Sequence, residues 1–119
     1  MGSPSTSTLL FAQGAYFATT GLWSIVDADS FQRVTGPKTD VWLVKTVGVL
    51  VTCIGGVFMS AARRRRISPE IGALAVSTAL GLAAIDTVYT VRGRISPIYL
   101  LDAAEELAFV TAFTGTRLA

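Results

Sequence analysis

The stretch Leu9-Leu10-Phe11-Ala12-Gln13-Gly14-Ala15-Tyr16-Phe17-Ala18-Thr19-Thr20-Gly21-Leu22-Trp23-Ser24-Ile25-Val26 contains no charged side chain. As a helix it is long enough to cross about 30 Å of hydrocarbon. Three further apolar stretches follow, predicting an all-α integral membrane protein with spans at about 8–27, 41–62, 69–91 and 97–115. The expected architecture is an up-down-up-down four-helix bundle, because the second and third connections are short. In 119 residues four spans leave room for one transmembrane domain, 1–119, and no soluble one. Hydrophobic residues make up 51% of the chain and charged residues 15%. A soluble bundle needs a polar face on every helix, and the first stretch offers none.

The punctuation fits those limits. Asp29-Ser30-Phe31-Gln32 resembles a capping box, with Phe31 and Val34 as an apolar pair, so a short interfacial helix is expected before Gly36-Pro37. Thr39-Asp40 caps the second span. Ser68-Pro69-Glu70 and Ser96-Pro97 read as the starts of the third and fourth. No basic residue precedes the first apolar stretch, so it is expected to be a retained span rather than a signal peptide. A short likeness between Trp42-Leu43-Val44-Lys45 and Tyr99-Leu100-Leu101-Asp102 hints at two repeated halves and places Lys45 and Asp102 at similar depth.

Basic residues near the span ends give the orientation. Arg63, Arg64, Arg65, Arg66 and Arg117 lie on one side; Arg33, Lys38, Arg92 and Arg94 lie on the other. The compact tetrad beside a span dominates, so both termini are expected in the cytoplasm of a multi-pass cell-membrane protein. The tetrad reads as a lipid anchor and topology signal, with partner docking as the alternative. Nucleic acid is not an expected partner, since no basic groove interleaves with aromatics. There is no histidine, which removes histidine-based metal, haem and nucleophilic sites; no metal and no cofactor is expected. Cys53, alone in mid-span, reads as a small buried apolar residue.

The informative residues are ionisable groups where a membrane helix should carry none. Lys45, Asp86, Asp102, Glu105 and Glu106 all fall about 6–14 Å below the outer boundary at 1.5 Å per residue. Asp102, Glu105 and Glu106 share one sector of the fourth span, continued by Phe109 and Phe113. Gln13, Phe17, Thr20, Ser24 and Asp27 form a polar stripe in the first span. Lys45, Gly48, Thr52, Gly55 and Met59 form a small-residue stripe in the second, and Ala75, Ala79, Leu82 and Asp86 one in the third.

Four acids then face one lysine. Ionised together they leave an excess of three negative charges in low dielectric, so shared protons and coupled titration are expected. Lys45 is expected to pair with Asp102 or Asp86. Glu105 and Glu106 are expected to point apart, one into a cavity and one into a helix interface. Asp27 and Asp40 read as solvated helix-end groups, and Trp23, Trp42 and Tyr99 as interfacial aromatics. The candidate ligand-binding set is Lys45, Asp86, Tyr89, Asp102, Glu105, Glu106 and Phe109.

Lys45-x-x-Gly48 followed by Gly55 resembles a helix of small bacterial DoxX-like membrane proteins. The resemblance implies a four-helix protein of a bacterial inner membrane and assigns no functional residue. Small multidrug exporters share the length and span number, but their first-span glutamate is replaced here by Gln13. The expected function is an acid-rich pocket near the outer leaflet that binds or transports a small amphiphilic or cationic ligand, coupled to protons. An enzyme would use Glu105 or Glu106 as acid/base, Asp86 or Asp102 as partner, and Lys45 to set their charge. The remaining alternative is an accessory subunit of a larger membrane complex, or a homo-oligomer.

Overall fold

A computed structural model describes residues 5–36 and 40–118. Among the described residues there are five helices: α1 Thr6–Val26, α2 Ala28–Thr35, α3 Val41–Arg63, α4 Pro69–Val91 and α5 Tyr99–Leu118. No strand occurs among the described residues. α1, α3 and α4 are long and apolar enough to cross a membrane. α5, which carries three acids, does not reach that apolarity, so three rather than four helices meet the requirement.

Glycines decide the closest packing. Gly14 meets Gly55, and Gly21 meets Gly48, so α1 and α3 run antiparallel along a seam with a seven-residue repeat. A Cβ on Gly14 would lie 2.6 Å from the Gly55 carbonyl oxygen, and one on Gly21 would lie 2.7 Å from that of Gly48. The two backbones therefore touch directly, as small residues allow in membrane helices. α4 and α5 form the second broad interface, whereas α3 and α4 touch only slightly despite their short connection. Phe17, Phe58, Ala75, Ala79, Phe109 and Phe113 belong to one buried cluster that joins all four long helices.

Several starts and stops differ from expectation. The short helix is present, but Asp27 caps it, two residues before the expected box; its carboxylate accepts from the Ser30 N–H at 3.1 Å. Gly36, at φ 103°, ends it, while Pro37 and Thr39 lie outside the described residues. Asp40 precedes α3 without a side-chain capping bond. Ser68 caps α4 as expected, accepting from the Ile71 N–H at 3.2 Å. Ser96-Pro97 does not open α5. Ser96 accepts from Ile98, only two residues on, and the chain makes a turn before the helix begins at Tyr99.

α3 and α4 end in the same motif. Arg66 N–H donates to Ala61 O and Arg65 N–H to Ala62 O after α3; Arg94 N–H donates to Tyr89 O and Gly93 N–H to Thr90 O after α4. Both are Schellman closures, which need a left-handed residue next to the cap. Gly93 supplies it at φ 70°, but Arg65 adopts it at φ 54° with a Cβ present. Arg65→Gly is therefore expected to stabilise the protein by about 1 kcal/mol. Gly93→Ala should destabilise it similarly. Melting in detergent, followed by helical circular dichroism, measures both.

Candidate functional site

α1, α4 and α5 bring the acids together. The Gln13 amide N–H donates to Glu106 Oε1, and the Tyr16 hydroxyl donates to Asp102 Oδ1. Thr6 and Thr116 bond at 2.8 Å farther along the same antiparallel joint. Asp86 of α4 stands against Asp102. Oxygens of Asp102, Glu105 and Glu106 lie within 4.8 Å of one another. Glu106 is 0% exposed, Gln13 1% and Asp86 4%.

Asp86 meets Asp102 and Glu105 meets Glu106 as carboxyl pairs, and ordinary donors do not fill the rest of the joint. Among the described residues, the buried side-chain atoms without a hydrogen bond to an ordinary donor or acceptor are Gln13 Oε1, Asp86 Oδ2, Thr90 Oγ1, Glu105 Oε1 and Glu106 Oε2. Four of the five belong to the acid joint, and Thr90 lies one turn from Asp86 on α4. Buried polar groups in folded proteins are nearly always bonded, so such a concentration marks a place held for something other than packing. Beside it opens a cavity of about 420 Å³. Tyr16, Asp102, Glu105 and Glu106 lie on its polar side; Phe17, Leu82 and Ile98 are among its apolar walls. A second cavity of about 450 Å³ runs between α1 and α3 and shares Thr20, Phe31, Val51 and Tyr99 with the first.

α2 forms part of both walls through Phe31. The Trp23 indole N–H donates to Ser30 Oγ at 2.7 Å, and its ring meets Phe31 edge-on with centroids 5.1 Å apart. Asp27, exposed just beyond α1, is held below the usual carboxylate range by the Ser30 backbone N–H first, then the Ser30 side chain and Arg33. A depressed value means that the ionised cap stabilises α2 above the free-carboxyl range and is lost as pH falls through the native value. In a Trp42→Phe background, Trp23 emission should stay constant from neutral pH to about pH 4 and change below it. Asp27→Asn, which caps without titrating, should remove that acid transition.

Asp86, Asp102, Glu105 and Glu106 converge as expected; the rest of the candidate set does not. Lys45 is exposed, and the charged neighbours of Asp86 and Glu106 are other acids, which overturns the expected ion pair. The stripe that Lys45 heads packs on α1, so α1 stands between the lysine and the acids. Tyr89 is exposed on α4, and Phe109 lies in the core cluster rather than on the cavity. Cys53 is exposed on α3, not buried. Glu106 accepts the expected interface bond, yet it and Glu105 both line the cavity, because their flexible side chains offset the 100° between their positions. Tyr16 was missed. Its signal was the i, i+3 spacing from Gln13, which puts both on the face that meets α5.

No protein-family model, curated protein or solved structure matches this chain. The likeness to DoxX-like proteins therefore rests on Lys45, Gly48 and Gly55 alone.

Proposed function

We propose that this chain is a four-helix membrane protein whose acid joint and adjoining cavity bind a small amphiphilic cation. α5 is the fourth span in this reading, with both termini in the cytoplasm and the cavity facing the outer leaflet. Lipid would cover the outer faces: Leu43, Val47, Leu50 and Val57 of α3 are exposed, an apolar surface that water disfavours. α5 crosses because its acids turn inward, toward α1 and α4, rather than toward lipid.

The observation that carries the reading is the set of unpartnered carboxylate oxygens beside an apolar-walled cavity. A cation supplies the missing charge, and its apolar groups occupy the walls, the usual division of labour in a small-molecule pocket. Protons exchanged at the same carboxyls would couple binding to pH. Tetraphenylphosphonium is a suitable probe. Purified protein in a maltoside detergent should bind it saturably, with quenching of Trp23, which lines the cavity. Asp102→Asn should weaken binding about tenfold, roughly the loss of one charge-assisted contact. Equal binding by both proteins would refute the site.

The inward acids disfavour an accessory-subunit reading. One observation supports it: Lys45 is exposed, so a partner helix could meet it.

A further inference from the structure

Resting on the reading of the joint as a cation site, we infer that the same carboxylates also take a hard divalent cation of calcium size, in competition with the amphiphilic one, held by Asp102, Glu105, Glu106 and the side-chain carbonyl of Gln13. The three carboxylates contribute oxygens within 4.8 Å of one another. Calcium, with bonds of about 2.3–2.6 Å, accepts oxygens about 5 Å apart across its shell. Magnesium is smaller, at about 2.0–2.1 Å, demands near-octahedral geometry and gives up its water reluctantly, so a shell of protein carboxylates suits it less. The donors are all oxygen, which selects hard cations over zinc or copper.

A separate observation comes from the two helices that do not carry the carboxylate triad. On α1, Gln13 is 1% exposed and its Oε1 has no hydrogen-bond partner. Its amide nitrogen is tied to Glu106, so this side chain reaches the triad. On α4, Asp86 is 4% exposed, stands against Asp102, and leaves Oδ2 unpartnered. Both α1 and α4 therefore bring to the triad a buried side chain with an oxygen that makes no hydrogen bond. Glu106 completes the pattern: Gln13 occupies Oε1, and Oε2 remains open.

A proton can satisfy one such pair of oxygens. A cation satisfies several at once and offsets the negative charge of a site whose charged neighbours are acids. The cavity reaches all three triad members, giving an ion a way in. Tyr16 donates to Asp102 and so takes only one of the available acceptors.

Terbium, a calcium-sized luminescent ion, tests this directly. Tyr16 touches Asp102 and sits within energy-transfer range of the site. The whole protein in uncharged maltoside micelles should show saturable terbium emission on tyrosine excitation. Calcium should displace terbium at least about tenfold more readily than magnesium does, following the size argument. Glu105→Gln and Glu106→Gln should each weaken terbium binding about tenfold or more, while exposed Glu70→Gln leaves it unchanged. Should the buried variants fail to fold, the unmodified protein still decides: calcium should raise its melting temperature and equal magnesium should not. Tetraphenylphosphonium binding without saturable terbium emission or calcium stabilisation overturns the metal site and leaves the pocket standing. Absence of both kinds of binding overturns the two together.

Discussion

Replacing Gly55 with alanine is expected to loosen the α1–α3 seam, whereas the same change at neighbouring Gly56 is expected to be harmless. A Cβ on Gly55 would lie 2.5 Å from the Gly14 carbonyl oxygen and 2.7 Å from the Ala18 nitrogen. Both are backbone atoms of a helix, so neither can rotate aside. The helices must separate along the whole seam, because Gly21 and Gly48 fix the other end. Overpacking of this kind costs about 1–3 kcal/mol. Gly55→Val should exceed that range and deplete the folded form. Gly56 has open space around its Cβ position. There alanine should gain about 0.5–1 kcal/mol from its higher helix propensity. Thermal unfolding of the two single variants in the same detergent makes the comparison. Similar losses at both positions would show that the seam is not packed as described.

The second large effect concerns Gln13 and Glu106. Gln13→Leu removes the donor to Glu106 Oε1 and leaves a fully buried carboxyl group without its amide partner. Leaving a buried polar group unmet costs about 1–3 kcal/mol, and more for a charged one. Glu106→Leu should cost about as much through the orphaned Gln13 amide. The double variant removes both polar groups, and its stability should return to within about 1 kcal/mol of the original, since paired apolar replacement is often neutral. It should also lose ligand binding completely. A double-mutant cycle by denaturant titration gives the coupling. Simple addition of the two losses would mean that the groups do not meet.

Much of this architecture was legible because long apolar helices leave strong marks. The uncharged run from Leu9 to Val26, the Ser68-Pro69 start and the tetra-arginine stop bound their elements closely. Spacing alone placed Asp86, Gln13, Asp102, Glu105 and Glu106 on inward faces, because 3.6-residue periodicity survives any choice of neighbour. Periodicity does not say which helix a stripe meets. By depth alone the stripe from Lys45 to Met59 faces the acids, but its glycines select α1, and Lys45 is left outside. Rotamer choice was equally invisible: a helical wheel separates Glu105 from Glu106 by 100°, while their side chains reconverge. Asp27 is the solvated helix-end group its position implies; its second role was hidden, because one residue ends α1 and caps α2 at the same time. Tyr16 looked like one more apolar member of its span until Asp102 was found opposite it.

The central claim is that the carboxyl joint is a ligand site and not a structural lock. Labelling with dicyclohexylcarbodiimide tests it most directly, since this apolar reagent adds to carboxyl groups in apolar surroundings and mass spectrometry locates the adduct. A ligand site requires the adduct on Asp102 or Glu105, with labelling suppressed by tetraphenylphosphonium. Labelling confined to the exposed acids Asp29, Asp40 and Glu70, or unchanged by the cation, would contradict it.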